Sequence, residues 1–173
     1  DKNTLIPRPE TEELVEWIID ETAKSQKGKE SNHLRILDIG TGTGCIAISL
    51  AKNLPTANIF AIDISADALK IAKKNATLNN VEITFLQADI LKTDSLDAIA
   101  NKMKQFNFAN QIISSETNPT KKLNFDIIIS NPPYVRELEK AEIHLNVLQN
   151  EPHLALFVSD ENPLIFYDKI ADL

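Results

Sequence analysis

Two short segments hold residues whose types and order could do chemistry. The first is Asp38-Ile39-Gly40-Thr41-Gly42-Thr43-Gly44, a glycine-rich turn between a strand and a helix. Glycines there remove Cβ atoms, so the backbone can turn tightly and come close to a ligand. Asp63 ends the next strand, 19 residues after Gly44, where a carboxylate can accept hydrogen bonds from ribose hydroxyls. The second segment, Asn131-Pro132-Pro133-Tyr134, ends a later strand. Its prolines fix φ twice and have no N–H, and Asn131, just before Pro132, is held extended. The Asn131 side-chain oxygen and the Pro132 carbonyl thus form a rigid pair of acceptors. They match the two N–H bonds of a planar –NH₂ group, over which Tyr134 can pack. Such a group suits an amide or a nucleobase, whose nitrogen lone pair is delocalised and poorly nucleophilic.

The glycine spacing discriminates between cofactors. A dinucleotide fingerprint, G-x-G-x-x-G, would place its third glycine at position 45, where the chain has Cys45. The pattern is instead G-x-G-x-G, as in enzymes using S-adenosylmethionine, and no Gly-Lys-Ser/Thr follows to make a Walker A loop. Asp89, closing the third strand, is placed to accept from an adenine amino group; a helix N-cap or a solvated turn residue is its plainer alternative. A sulfonium methyl is already activated, so no metal is expected, and catalysis would rest on orientation and desolvation. Each motif also has a bland alternative, a strand-ending turn with no ligand.

Positioning these residues requires a scaffold, and the apolar pattern supplies one. Strands are expected at 35–39, 58–62, 82–86 and 125–130, alternating with helices at 44–52, 66–78 and 95–104. An earlier helix, 11–24, carries Leu14, Val15, Trp17, Ile18 and Ile19 at helical spacing. Alternation of short apolar strands with helices predicts an α/β protein: an open, mostly parallel sheet covered on both faces. Residues 25–32 read as a loop, and residues 105–124, long and polar, as a surface insertion.

Composition bounds the rest. The 173 residues suit one domain, and 18 Lys+Arg against 25 Asp+Glu leave a net charge of −7. That offers no basic footprint, so direct nucleic-acid binding is not expected. One cysteine forms no internal disulfide, His33, His144 and His153 share no ligand spacing, and no apolar run spans a membrane. The N-terminal residues begin no signal peptide, so a cytoplasmic setting is expected. Cys45 reads as a small packing residue, although a helix N-terminus could lower its pKa. Glu137, Glu139 and Glu142 read as a solvated face, with a basic partner as the alternative.

Three stretches together resemble the HemK/PrmC-type protein-glutamine N5-methyltransferases, which act on class I peptide-chain release factors. They are Leu5-Ile6-Pro7-Arg8-Pro9-Glu10-Thr11-Glu12, the run from Ile36 to Ala47, and Ser130-Asn131-Pro132-Pro133-Tyr134-Val135. Glu151-Pro152 with Ala155-Leu156 resembles a further signature of that family. The resemblance implies a Rossmann-like class I methyltransferase fold using S-adenosylmethionine and releasing S-adenosylhomocysteine. It implies that Gly40, Thr41, Gly42, Thr43, Gly44, Asp63 and Ile90 line the cofactor; Asp89 and Asn131 are expected to bind it as well. Asn131, Pro132, Pro133 and Tyr134 would hold the glutamine amide, with Asn131, Pro132 and Tyr134 as the catalytic set. Arg8 would help close the site, with a surface ion pair as its alternative. Other readings are a ribosomal-protein glutamine as acceptor, adenine-N6 methylation of nucleic acid, or a non-catalytic cofactor-binding module. Against the family pattern, residues 1–173 are expected to be a partial catalytic domain. Four strands are countable where such a sheet has seven, the family's N-terminal docking domain is not recognisable, and the chain stops within an apparent helix.

Overall fold

β1 (Arg35–Ile39) is apolar on both sides, so helices must cover it on both sides. Ile36 points into one buried cluster while Leu37 and Ile39 point into another. The computed structural model describes residues 4–5, 8–25, 34–105 and 124–173. In it β1 lies inside a four-stranded parallel sheet of order β3-β2-β1-β4, with β2 at Asn58–Asp63, β3 at Thr84–Gln87 and β4 at Ile127–Ser130.

On one face, α1 (Pro9–Ser25) and α2 (Cys45–Asn53) bury Val15, Ile46, Ala47 and Leu50 against Ile36, Ile59, Ala61 and Ile129. α3 (Ala66–Leu78) lies beside α2, its Ala72 close to Gly44. Ser65 caps α3, its hydroxyl accepting from the Ala68 N–H at 3.2 Å. On the other face, α4 (Leu96–Gln105) packs Ile99, Ala100 and Met103 over Leu37, Phe60, Ile62 and Leu86.

Two short parallel strands, β5 (Val135–Arg136) and β6 (Phe157–Val158), form a second small sheet. Between them lie α5 (Leu145–Asn150) and two 3-10 turns, Glu137–Glu142 and His153–Ala155. α6 (Ile165–Ala171) then brings Phe166 and Ile170 onto the α4 face.

The order of strands decides where a site can form. The chain steps outward from β1 to β2 to β3, then returns past β1 to β4. This reversal opens a crevice at the carboxyl ends of β1 and β4, the place where open α/β sheets bind ligands. The register levels those ends: Ile39 pairs with both Ile62 and Ser130. Gly40, Asp63 and Asn131, the next residue on each strand, therefore emerge side by side.

Several sequence expectations shift. β3 starts at Thr84 and β4 at Ile127. Asp126 precedes its strand because its carboxylate accepts from the Arg35 N–H at 2.8 Å, and Phe125 packs edge-on against Phe60. Trp17 is not part of the buried stripe; it is 64% exposed, while Leu14, Val15, Ile18 and Ile19 face the sheet. Among the described residues β4 is an edge strand of the sheet. Most of the expected loop (26–32), His33 and all but the ends of the 105–124 insertion lie outside the described residues. Among the described residues no helix is long and apolar enough to cross a membrane.

Candidate active site

Three of the chain's four glycines sit in the turn after β1, and all three have positive φ: 72° at Gly40, 55° at Gly42 and 80° at Gly44. Side chains disfavour that region, which explains the residue choice. The turn is pinned from below. The Gly40 and Thr41 N–H groups both donate to the Ile62 carbonyl, at 2.9 and 3.0 Å. Asp63 accepts from the Gly42 N–H through Oδ2 and from the Ser65 N–H through Oδ1, each at 2.8 Å. A carboxylate has about four acceptor positions, so Asp63 braces the turn and keeps lone pairs for a ligand.

Beneath the turn Asp38 is 1% exposed, and its Oδ2 accepts from the Thr41 hydroxyl at 2.6 Å. Burial pushes its carboxyl up from 3.8 to about 7; the Thr41 hydroxyl and the Ala47 N–H pull the other way, and the Asp63 charge adds to the rise. Burial also pushes the Cys45 thiol up, and its side chain, half-buried, packs against the apolar cluster under α2.

A cavity of about 480 Å³ opens above the turn. Gly40, Thr41, Gly42, Thr43, Asp63, Asp89, Ile90, Asn131, Pro132 and Pro133 all line it. A Cβ on Gly40 or Gly42 would meet nothing within 4 Å, so that space belongs to the cavity. Asp89 also serves as a cap, accepting from the Leu91 N–H at 3.1 Å and pairing with Lys92 at 3.1 Å. Ser130 fixes the end of β4 by donating to the Ile39 carbonyl at 2.7 Å. The residue after it, Asn131, then faces the glycine turn across the cavity.

Three expected residues lie elsewhere. Gly44 is outside the lining; a Cβ there would come 3.1 Å from Ala72 Cβ, so this glycine serves the packing of α2 on α3. Tyr134 is 58% exposed and also outside the lining, because the chain leaves the site directly into β5. Arg8 does not line this cavity either. Its Nη2 bridges both oxygens of Glu151, at 2.9 and 3.0 Å, with the Glu151 side chain 3% exposed.

The structure also adds walls that motif reading missed: Thr11, Pro152, Leu154 and Phe166. Thr11 and Pro152 fell within segments singled out by resemblance, while Leu154 and Phe166 carried no signal of their own.

A parallel sheet with its glycine turn and acidic strand end at the switch point is the Rossmann-like fold of the S-adenosylmethionine-dependent class I methyltransferases. The N-terminal domain of human METTL16, solved in complex with SAH, is similar in fold: 25% identity, TM-score 0.51, covering 84% of this chain and 52% of that one. The chain belongs to the methyltransferase domain family, whose profile matches residues 30–160. Among curated relatives it is 58% identical to a release factor glutamine methyltransferase of Flavobacterium psychrophilum, over 99% of this chain and 50% of the relative. It is 46% identical to one of Bacteroides thetaiotaomicron, over 98% of this chain and 49% of the relative. The chain thus spans about half the length of the curated relatives it matches.

Proposed function

We propose that this chain carries the methyl-transfer site of an S-adenosylmethionine-dependent protein-glutamine N5-methyltransferase whose substrate is a class I peptide-chain release factor. The observation that carries the reading is the juxtaposition of Asn131-Pro132-Pro133 with the glycine turn in one cavity. The names of the relatives supply the substrate class. A release factor as substrate would place the reaction in the cytoplasm.

The donor set fits the cofactor. The open space at Gly40 and Gly42 admits its amino-acid part, Asp63 offers acceptors to its ribose hydroxyls, and Ile64, Ile90 and Leu91 offer an apolar slot for its base. When bound, the cofactor would supply a methyl activated on sulfonium, with a neutral thioether as the leaving group that balances the new N–C bond. The chain's own part is to hold the nitrogen. The Asn131 side-chain oxygen and the Pro132 carbonyl accept the two amide N–H bonds, which localises the lone pair and aims it at the methyl. The methylated nitrogen, cationic and strongly acidic after transfer, then releases one of its two protons to solvent water. Ile90 and Phe166 give the cavity apolar walls that would lower the dielectric around the reacting atoms.

Asn131→Ala tests the assignment. It is expected to lower kcat at least about 100-fold, as loss of one preorganised hydrogen-bonding partner does. Cofactor Kd should stay within about threefold, roughly 0.6 kcal/mol. Equal loss of both would mean that Asn131 serves the fold or the cofactor instead.

A further inference from the structure

The first turn of α1 reaches the acceptor pair from a part of the chain 120 residues away. Thr11 is 8% exposed and lines the cavity. Asn131 Nδ2 donates to the Thr11 hydroxyl at 3.5 Å, the long end of the hydrogen-bonding range; catalytic hydrogen bonds often shorten only once substrate is bound. With Nδ2 engaged there, Oδ1 is the end of the amide left for the substrate.

Something must make this choice. Pro132 and Ser130 fix the Asn131 backbone, but the terminal torsion of an asparagine side chain is broad and roughly two-fold. A side chain free to swing would present its oxygen at the correct angle only part of the time. Thr11 is itself held. Its N–H donates to the Arg8 carbonyl at 2.9 Å, and the Arg8 guanidinium is anchored on the buried Glu151 carboxylate. The next residues after Glu151, including Pro152 and Leu154, form another wall of the cavity. Glu151, Arg8, Thr11 and Asn131 therefore make one continuous chain of fixed contacts from that wall to the acceptor oxygen.

We propose that Thr11 is a positioning residue for methyl transfer: its hydroxyl, anchored through Arg8 and Glu151, holds the Asn131 amide plane with the oxygen toward the acceptor nitrogen. This rests on the proposed amide-holding role of Asn131 and adds the group that enforces it.

The test compares Thr11→Val, which keeps shape and removes the hydroxyl, with Thr11→Ser, which keeps the hydroxyl. Each is made in the intact protein, with kcat, KM for a glutamine-bearing release factor, cofactor Kd and Tm measured. Thr11→Val is expected to lower kcat about tenfold, the equivalent of one ordinary hydrogen bond. KM, cofactor Kd and Tm should stay near wild type, and Thr11→Ser should recover most of the rate. An unchanged kcat in Thr11→Val would overturn the proposal. So would a loss shared by Thr11→Ser, or one that tracks cofactor Kd or Tm, since either would make Thr11 a packing residue. A wild-type protein inactive on glutamine would overturn the proposed function as well, a separate and recognisable result.

Discussion

Asp38 makes the glycine turn sensitive to pH. Its carboxyl has no exposed surface to speak of, and its folded pKa of about 7 stands well above the ordinary 3.8. Between those values the folded protein holds a proton that the unfolded chain releases. The stability this supplies is complete below pH 4 and is lost as pH rises toward 7, a change on the order of 4 kcal/mol. Asp38→Asn cannot titrate and still offers an oxygen to Thr41. Urea midpoints taken from pH 4 to 8 should therefore decline more steeply in wild type than in Asp38→Asn. Parallel profiles would show that Asp38 stays ionised in the fold. Most residues lining the candidate cavity were legible as a turn and strand ends because glycine, proline and carboxylate there act locally. Thr11 and Glu151 were not legible in those roles, since each acquires its part only when residues more than a hundred positions apart are brought together.

Among the elements, β1 and α3 fall where apolar periodicity puts them, because each carries an unbroken pattern of its own. β5 and β6 are two residues each, too short to express any period, and exist because Val135 donates its N–H to the Leu156 carbonyl at 3.0 Å. α5 has six residues and no buried side chain, so no amphipathic stripe announces it. The turn from Glu137 to Glu142 matches the solvated face expected of it, with Glu139 paired to Arg136 at 2.9 Å. Where α2 begins, Gly44 carries a structural demand the cofactor motif obscured. Gly44→Ala should destabilise the protein by about 1–3 kcal/mol, from left-handed strain and the close approach to Ala72. A loss below about 0.5 kcal/mol in chemical denaturation, the range of an ordinary surface change, would contradict that packing role.

At the scale of the whole molecule, the reversal of strand order between β1 and β4 turns two distant motifs into one cavity. The 173 residues carry a net charge of −7, and the proposed acceptor is a protein. The most direct measurement supplies the intact protein with methyl-labelled S-adenosylmethionine and three acceptors together: a class I release factor, a ribosomal-protein glutamine peptide and an adenine-containing duplex. The account predicts label on the release factor, located by mass spectrometry on the side-chain nitrogen of a glutamine. Label confined to the duplex, or carried by a release-factor residue other than glutamine, would contradict it.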